Sequence, residues 1–426
     1  MNPEVISRVG AKWSQVTGIG ELMEDLGHAL TVDPEMRMLG GGNPALVPEF
    51  MQAAQQRMAA MLREPEAMAS LLGNYDPPRG HPRFVSAFAA LLRSIYHADF
   101  EPENVAVTAG SQCATFFLIN LFAGRGRGRK RHKILLPLCP EYLGYADQGL
   151  EEDIFVACRP KVEWPAGAGG HVFKYHVNLD AVRERLGQGD IAAMLVSRPT
   201  NPSGNVISED ELLSLSDLAL RHDIPLILDQ AYGVPFPAIV HVPVKPIYAP
   251  HFILLFSLSK IGLPGTRTGI VAGPASVTSA VASMTAVAGL ANPSLGQHLV
   301  LPWLEDGSIL EMGPRWLQPF YNARRLKARE WLEEAFKRAH VPWAIHADEG
   351  AFFHWLWLPE LSTTSREFCR RLKAHKVLTV PGEYFFYGLE EDWPHRHQCL
   401  RINYSGPEKV VREAIHIIAR EAARCH

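Results

Sequence analysis

Lys260 is the residue whose surroundings most restrict its chemistry. It closes the run Ser257-Leu258-Ser259-Lys260, where an apolar stretch gives way to a loop carrying Gly262, Pro264, Gly265, Arg267 and Gly269. A lysine at the carboxyl end of a buried strand is costly unless its charge is used or removed. Desolvation lowers the pKa of an amine, and a neutral amine can form a Schiff base with a carbonyl. Alone, the run fits a surface lysine just beyond a strand better. Its companions favour chemistry. Asp229 ends the apolar run 224–228, Tyr232 follows it by one short turn, and Asn201-Pro202-Ser203-Gly204 follows the apolar run 192–197. All lie just past the ends of expected strands, where open α/β sheets bind ligands.

A second feature adds an anion site. Thr108-Ala109-Gly110-Ser111-Gln112 links an expected strand to an expected helix. Such a small, glycine-containing turn presents free backbone N–H groups at a helix N-terminus, a setting suited to phosphate. It contains neither GxGxxG nor GxxxxGK[ST], so the dinucleotide and P-loop readings have no support. Arg267 could add a charge-assisted hold on the same anion. Tyr142, in Cys139-Pro140-Glu141-Tyr142-Leu143-Gly144-Tyr145, offers an aromatic face. A Schiff-base lysine, a carboxylate, a phenol, an amide, an aromatic ring and a phosphate cradle are the groups that pyridoxal 5'-phosphate requires.

These groups need a scaffold. Short apolar strands are expected at 105–107, 133–137, 191–197, 224–229, 252–259 and 269–273, with helices at 48–62, 113–122 and 208–222. The last helix opens on a capping box, Ser208-Glu209-Asp210-Glu211. Strands apolar on both faces and separated by helices imply an α/β fold with a mostly parallel sheet covered on both sides. From about residue 300 the pattern changes to α+β. A long helix is expected at 314–340, an aromatic-rich strand at 350–358, a helix at 365–375, a strand at 399–404 and a last helix from 407. The expected division is a large domain over 51–305 and a small one over 306–426. Residues 1–50, read as irregular around Gly40-Gly41-Gly42-Asn43-Pro44, join the small domain.

Composition excludes several classes. The chain has 426 residues, of which 47% are hydrophobic and 20% charged, which argues against disorder and fibrous structure. A net charge of -3 offers no general attraction to nucleic acid or anionic membrane. The basic run 125–133 lacks interleaved aromatics and reads as a solvated connection between a helix and a strand. No window of about 20 apolar residues suggests a membrane span, and residues 1–15 do not resemble a signal peptide. Six cysteines without a CxxC pattern suit a reducing, cytoplasmic setting. Residues 1–45 carry no helix-turn-helix pattern, which disfavours a transcription regulator.

The order TxGSQ, PxYxxY, NPSG, DxxY, and SxSK followed by PGxRxG resembles the fold type I, aspartate-aminotransferase superfamily of pyridoxal-phosphate enzymes over nearly the whole chain. The stretches 38–44, 74–80, 197–202, 229–237 and 393–404 look closer still to the branch that exchanges amino groups between valine and alanine. The resemblance implies that Lys260 holds the cofactor aldehyde and later shuttles a proton. Asp229 pairs with the pyridine nitrogen, and Tyr232 and Asn201 with the phenolic oxygen. Gly110, Ser111, Gln112, Ser257, Ser259 and Arg267 cradle the phosphate, although the segment from Lys260 to Arg267 is one residue shorter than in many members. Tyr142 stacks on the ring. Tyr75 reaches the phosphate of a neighbouring subunit, which implies a homodimer. Arg401 binds the substrate α-carboxylate, assisted by Asn201 and by the Gly42 N–H.

His395, His397 and Cys399 alternate as metal ligands on a strand can, and Arg401 continues the parity. The preferred reading is a lead-in segment that positions Arg401, with a histidine lining the substrate pocket and no metal. The expected partners are amino acids and 2-oxo acids.

Overall fold

Strands with no polar face must be covered on both sides, and the central sheet is made of such strands. The computed structural model describes residues 5–31, 33–126, 130–167 and 170–426. Val105–Thr108, Ile191–Ser197, Leu226–Asp229, Phe252–Ser257 and Gly269–Ala272 are buried almost throughout. Their alternate side chains feed opposite faces. Val107, Val196, Leu228 and Leu254 join one apolar cluster, and Ala106, Leu195, Ile227 and Leu255 the other.

The sheet runs in the order Val105–Thr108, Gly269–Ala272, Phe252–Ser257, Leu226–Asp229, Ile191–Ser197, Arg131–Leu136, Gly124–Arg125, and Phe155–Ala157 also pairs with Arg131–Leu136. Gly269–Ala272 is antiparallel to both neighbours, while the strands from Phe252–Ser257 to Arg131–Leu136 are parallel. The register sets Ser197 beside Asp229, Ser257 beside Gly269 and Gly269 beside Thr108. Groups far apart in the chain are thereby delivered to one sheet edge.

A second sheet has the order Val380–Pro381, Cys399–Asn403, Phe353–Trp357, Ala344–His346, Val172–His176, Lys161–Glu163. Its last two strands come from inside the range 51–305. Their hairpin is local, but the sheet it joins is decided by a parallel contact, Ile345 beside Val172. Arg401 sits between Trp355 and Val380 in this sheet.

Most expected elements appear with shifted ends. Ser208 caps the helix Glu209–Arg221, accepting from the Glu211 N–H at 3.2 Å while the Glu211 carboxylate accepts from the Ser208 N–H at 2.7 Å. Three expectations are corrected. The first fifty residues are not irregular: they contain the helices Arg8–Trp13 and Gly18–Thr31. Gly18, Gly20 and Gly27 obscure the second in sequence, whereas contacts from outside support this region. Lys12 Nζ donates to the carbonyls of Gly149 and Glu151, and the Tyr384 hydroxyl to Glu21.

The helix expected at 314–340 is Gln318–Ala339, preceded by a π-helical turn Gly313–Leu317 that contains Pro314. Proline lacks the N–H that a regular helical turn uses. The basic run spans strands rather than joining a helix to a strand: Arg125 and Arg131 pair on antiparallel strands, and residues 127–129 lie outside the described residues. Among the described residues no helix is long and apolar enough to cross a membrane.

Candidate active site

Lys260 lies in the turn beyond Phe252–Ser257 and reaches across the pocket to the amino-terminal segment. Its Nζ donates to the Gly42 carbonyl at 2.8 Å and sits 5.4 Å from the Tyr232 ring centre and 5.9 Å from that of Phe352. Burial, then repulsion from Arg401 and Arg267, lowers its pKa to about 8, against the opposing pull of Asp229. A substantial fraction of the amine is therefore neutral at mildly alkaline pH.

Asp229 ends Leu226–Asp229 and is buried. Its Oδ2 accepts from the Tyr145 hydroxyl at 2.5 Å and its Oδ1 from the Ala231 N–H at 2.8 Å. Burial still raises its pKa, although Tyr145, Ala231 and Lys260 all work the other way. A cationic ring nitrogen would relieve that cost. Tyr142 packs edge-on to Tyr145 at 5.1 Å, and the Gln112 side chain braces the same turn by donating to the Gly144 carbonyl at 2.7 Å.

Arg401 is 1% exposed. Its Nη1 donates to Asn201 Oδ1 at 2.7 Å and its Nη2 to the Gly40 carbonyl at 2.6 Å, and the guanidinium lies 4.4 Å from the Phe353 ring centre. Burial lowers its pKa to about 10, with Tyr232 and Tyr142 opposing. These partners are neutral, so the buried cation is suited to an incoming carboxylate. Two buried polar atoms here have no partner among the described residues: Arg401 Nε and the Tyr232 hydroxyl. Leaving a buried donor unpaired costs about 1–3 kcal/mol, so each fits a ligand oxygen.

The anion cradle forms where Gly110, at φ 84°, starts the helix Ser111–Phe122. The first N–H groups of a helix have no intrahelical acceptor and, with the helix dipole, favour an anion. A Cβ on Gly110 would lie 2.3 Å from Arg267 Nη2, so only glycine allows the guanidinium to close over this turn. Ser257 Oγ accepts from the Ser259 N–H at 3.1 Å, and both serines are buried. Three cations, a helix N-terminus and a carboxylate that would pair with a ring cation together fit a phosphorylated pyridine aldehyde.

Four sequence-selected residues are placed in ways the sequence did not suggest. The Gly42 carbonyl, not its N–H, faces Lys260. Tyr75 is 83% exposed and stands in a segment without helix or strand. His395 and His397 do not share a strand face, because Pro394–His397 is a 3₁₀ turn. His395 pairs with the Tyr175 hydroxyl at 2.5 Å and stacks on Trp393, whereas His397 meets Glu383 at 3.2 Å.

Tyr145, Glu141 and Asn403 were not singled out from the sequence. Glu141 is fully buried, accepts from Ser197 Oγ at 2.5 Å, the Ser197 N–H at 2.9 Å and the Tyr142 N–H at 2.8 Å, and lies within the electrostatic reach of Asp229. Its signal was a carboxylate set among apolar neighbours in Leu138-Cys139-Pro140-Glu141. Asn403 donates to the Gly41 carbonyl at 2.6 Å and so ties the glycine segment to the second sheet.

A desolvated lysine and a buried carboxylate at the edge of a mostly parallel sheet, with a buried guanidinium presented from the second sheet, define an α/β enzyme site for a small carboxylate undergoing carbonyl–amine chemistry. The family model described as aminotransferase class I and II matches residues 163–418, and the chain belongs to that family. It is 43% identical over 423 residues to valine–pyruvate aminotransferase of Escherichia coli (strain K12), with 98% of each chain covered. A putative amino-acid aminotransferase from Psychrobacter arcticum 273-4 superposes with a TM-score of 0.95 at 37% identity, covering 99% of this chain and 98% of that one. For valine-pyruvate aminotransferase from Salmonella typhimurium LT2 the TM-score is 0.84 at 39% identity, with 96% and 99% covered.

Proposed function

We propose that the chain is a pyridoxal 5'-phosphate-dependent aminotransferase that converts valine and pyruvate to 2-oxoisovalerate and alanine. The observation that carries the aminotransferase reading is Arg401, a buried guanidinium whose hydrogen-bond partners are neutral, beside the neutralisable amine of Lys260. The full-length likeness to valine–pyruvate aminotransferases supports the choice of substrates. Phe353 and Phe385 beside Arg401 suit a neutral side chain better than a second carboxylate.

Lys260 would hold the cofactor aldehyde, Asp229 its ring nitrogen, Tyr232 and Asn201 its phenolic oxygen, and Tyr142 its ring face. Gly110, Ser111, Gln112, Ser257, Ser259 and Arg267 would hold its phosphate, with Tyr75 contributed by a neighbouring subunit of a homodimer. Bound there, the cofactor supplies an electron sink and the carbonyl carbon that exchanges the amino group. Arg401 clamps the α-carboxylate by two parallel hydrogen bonds, a geometry lysine cannot reproduce. Asn201 orients Arg401, and Gly42 supports the carboxylate end. The neutral amine of Lys260 would take the proton from the substrate α-carbon and pass it to the carbon that had been the cofactor's aldehyde, and would reverse that transfer in the second half of the exchange. Asp229 would keep the cofactor's ring nitrogen protonated. A cytoplasmic location suits the free cysteines.

Half-reaction kinetics with alanine, valine, leucine, phenylalanine, aspartate and glutamate test this. Alanine and valine should lead by kcat/KM. Arg401→Lys should lower both by about 10- to 150-fold, the value of hydrogen bonds to a charged group. If aspartate or phenylalanine led, valine–pyruvate exchange would be wrong and the aminotransferase reading would stand.

A further inference from the structure

We propose that Asp76, His81 and His298 form a site for one divalent transition-metal ion of the zinc class, which ties the turn before the helix Pro82–Tyr96 to the helix Leu295–Glu305. The ligating atoms of the three side chains lie within 4.8 Å of one another. Asp76 Oδ2, His81 Nδ1 and His298 Nε2 are each buried and without a hydrogen-bond partner among the described residues. Three converging unpaired ligand atoms are hard to explain as packing, because a single carboxylate–imidazole hydrogen bond would satisfy two of them.

The supports are already in place. The His81 N–H donates to Gln297 Oε1 at 2.8 Å, immediately before His298. Asn292 Nδ2 donates to the carbonyls of Pro78 at 3.0 Å and Val107 at 2.8 Å, fixing the other side of the turn. The imidazole rings are 4.6 Å apart and inclined at 58°, a tilted rather than stacked pair. His298 is 8% exposed. Two imidazoles and one carboxylate select zinc-like ions over calcium or magnesium, which prefer all-oxygen shells. Zinc–nitrogen bonds of about 2.0–2.1 Å require the three side chains to close in around the ion, and solvent would complete the shell.

The test uses untagged holoenzyme treated with chelator and then titrated with zinc chloride by calorimetry. The chain has 18 histidines, so weak surface binding must be separated from the site. Wild type should bind one equivalent tightly, with a rise in Tm. Asp76→Asn and His298→Gln should each weaken that equivalent at least 100-fold and lose the Tm response. Should either variant misfold, cobalt(II) added to wild type gives a separate readout. A saturable visible band at one equivalent, displaced by zinc but not by magnesium, is expected. Equal zinc binding by wild type and variants, or no such cobalt band, would overturn the proposal.

Discussion

Lys260 and Asp229 bear opposite charges in one desolvated pocket, and their titrations are linked. Burial and two arginines push the lysine down to about 8, and Asp229 holds it up. The rate at which cofactor-free protein captures pyridoxal 5'-phosphate should follow the neutral amine, rising with pH and levelling above about 8. Asp229→Asn removes the negative charge that raises the lysine pKa, so the inflection should move to lower pH. Stopped-flow absorbance measures both profiles, and a flat profile between about pH 7 and 9 contradicts the assignment. Borohydride should fix the cofactor to the Lys260 peptide alone. Glu141 makes a second prediction at this scale. Burial raises its pKa from 4.5 to about 7, against the hydrogen bonds from Ser197 and Tyr142. A carboxyl raised in the folded state contributes stability below its unfolded pKa and loses it as pH rises through the folded one. Wild-type Tm should therefore fall relative to Glu141→Gln as pH rises from about 5 to 7, and an opposite slope would sink the argument.

The turn from Val105–Thr108 into Ser111–Phe122 shows how an element sets the site's tolerance. Gly110, with φ 84° and ψ 159°, occupies a region almost confined to glycine. Alanine there costs about 1–3 kcal/mol of backbone strain. Its Cβ would also push the Arg267 guanidinium, the mobile end of a long side chain, out of the cradle. Gly110→Ala should fold with a lowered Tm and bind cofactor at least about tenfold more weakly. Unchanged cofactor affinity by fluorescence titration would remove the turn and Arg267 from the phosphate site. In the second sheet, Arg401 is fixed by Trp355 and Val380 on either side, so its guanidinium is presented from strands rather than a loop.

At the scale of the molecule, Tyr75 at 83% exposure and the exposed Arg267 are unlike the other residues expected to touch the cofactor, which are buried or half-buried. Leu46, Leu62 and Leu72 in the same part of the chain are also exposed, at 75%, 60% and 77%. A second copy of the chain would explain both facts, with Tyr75 completing the neighbour's site. Tyr75→Ala and Lys260→Ala proteins should each be impaired alone. After unfolding and refolding together they should regain activity, because each hybrid dimer contains one intact site. The ceiling is about one quarter of wild type, from half the dimers being hybrid and half their sites intact. A strictly monomeric, fully active protein in sedimentation would exclude this arrangement.

The chemical inventory and the class of fold were readable from local signals. Ser257-Leu258-Ser259-Lys260, Asp229 and Asn201 each follow an apolar run, and such runs are formed by residues adjacent in sequence. The capping box at Ser208 and Glu211 is likewise a local interaction. What the tertiary structure decided is non-local. Arg401 meets Asn201 across 200 positions, and the Tyr145 hydroxyl meets Asp229 across 84. The hairpin strands Lys161–Glu163 and Val172–His176 belong to the second sheet through a pairing with Ala344–His346. The helix Gly18–Thr31 is masked in sequence by its glycines and supported by Tyr384 from the far end of the chain. Hydrophobic period and capping are properties of a few neighbouring residues, so sequence alone reports them. Strand partners, the burial of Glu141 and the convergence of Asp76, His81 and His298 depend on which segments meet in space, and only the assembled fold specifies that.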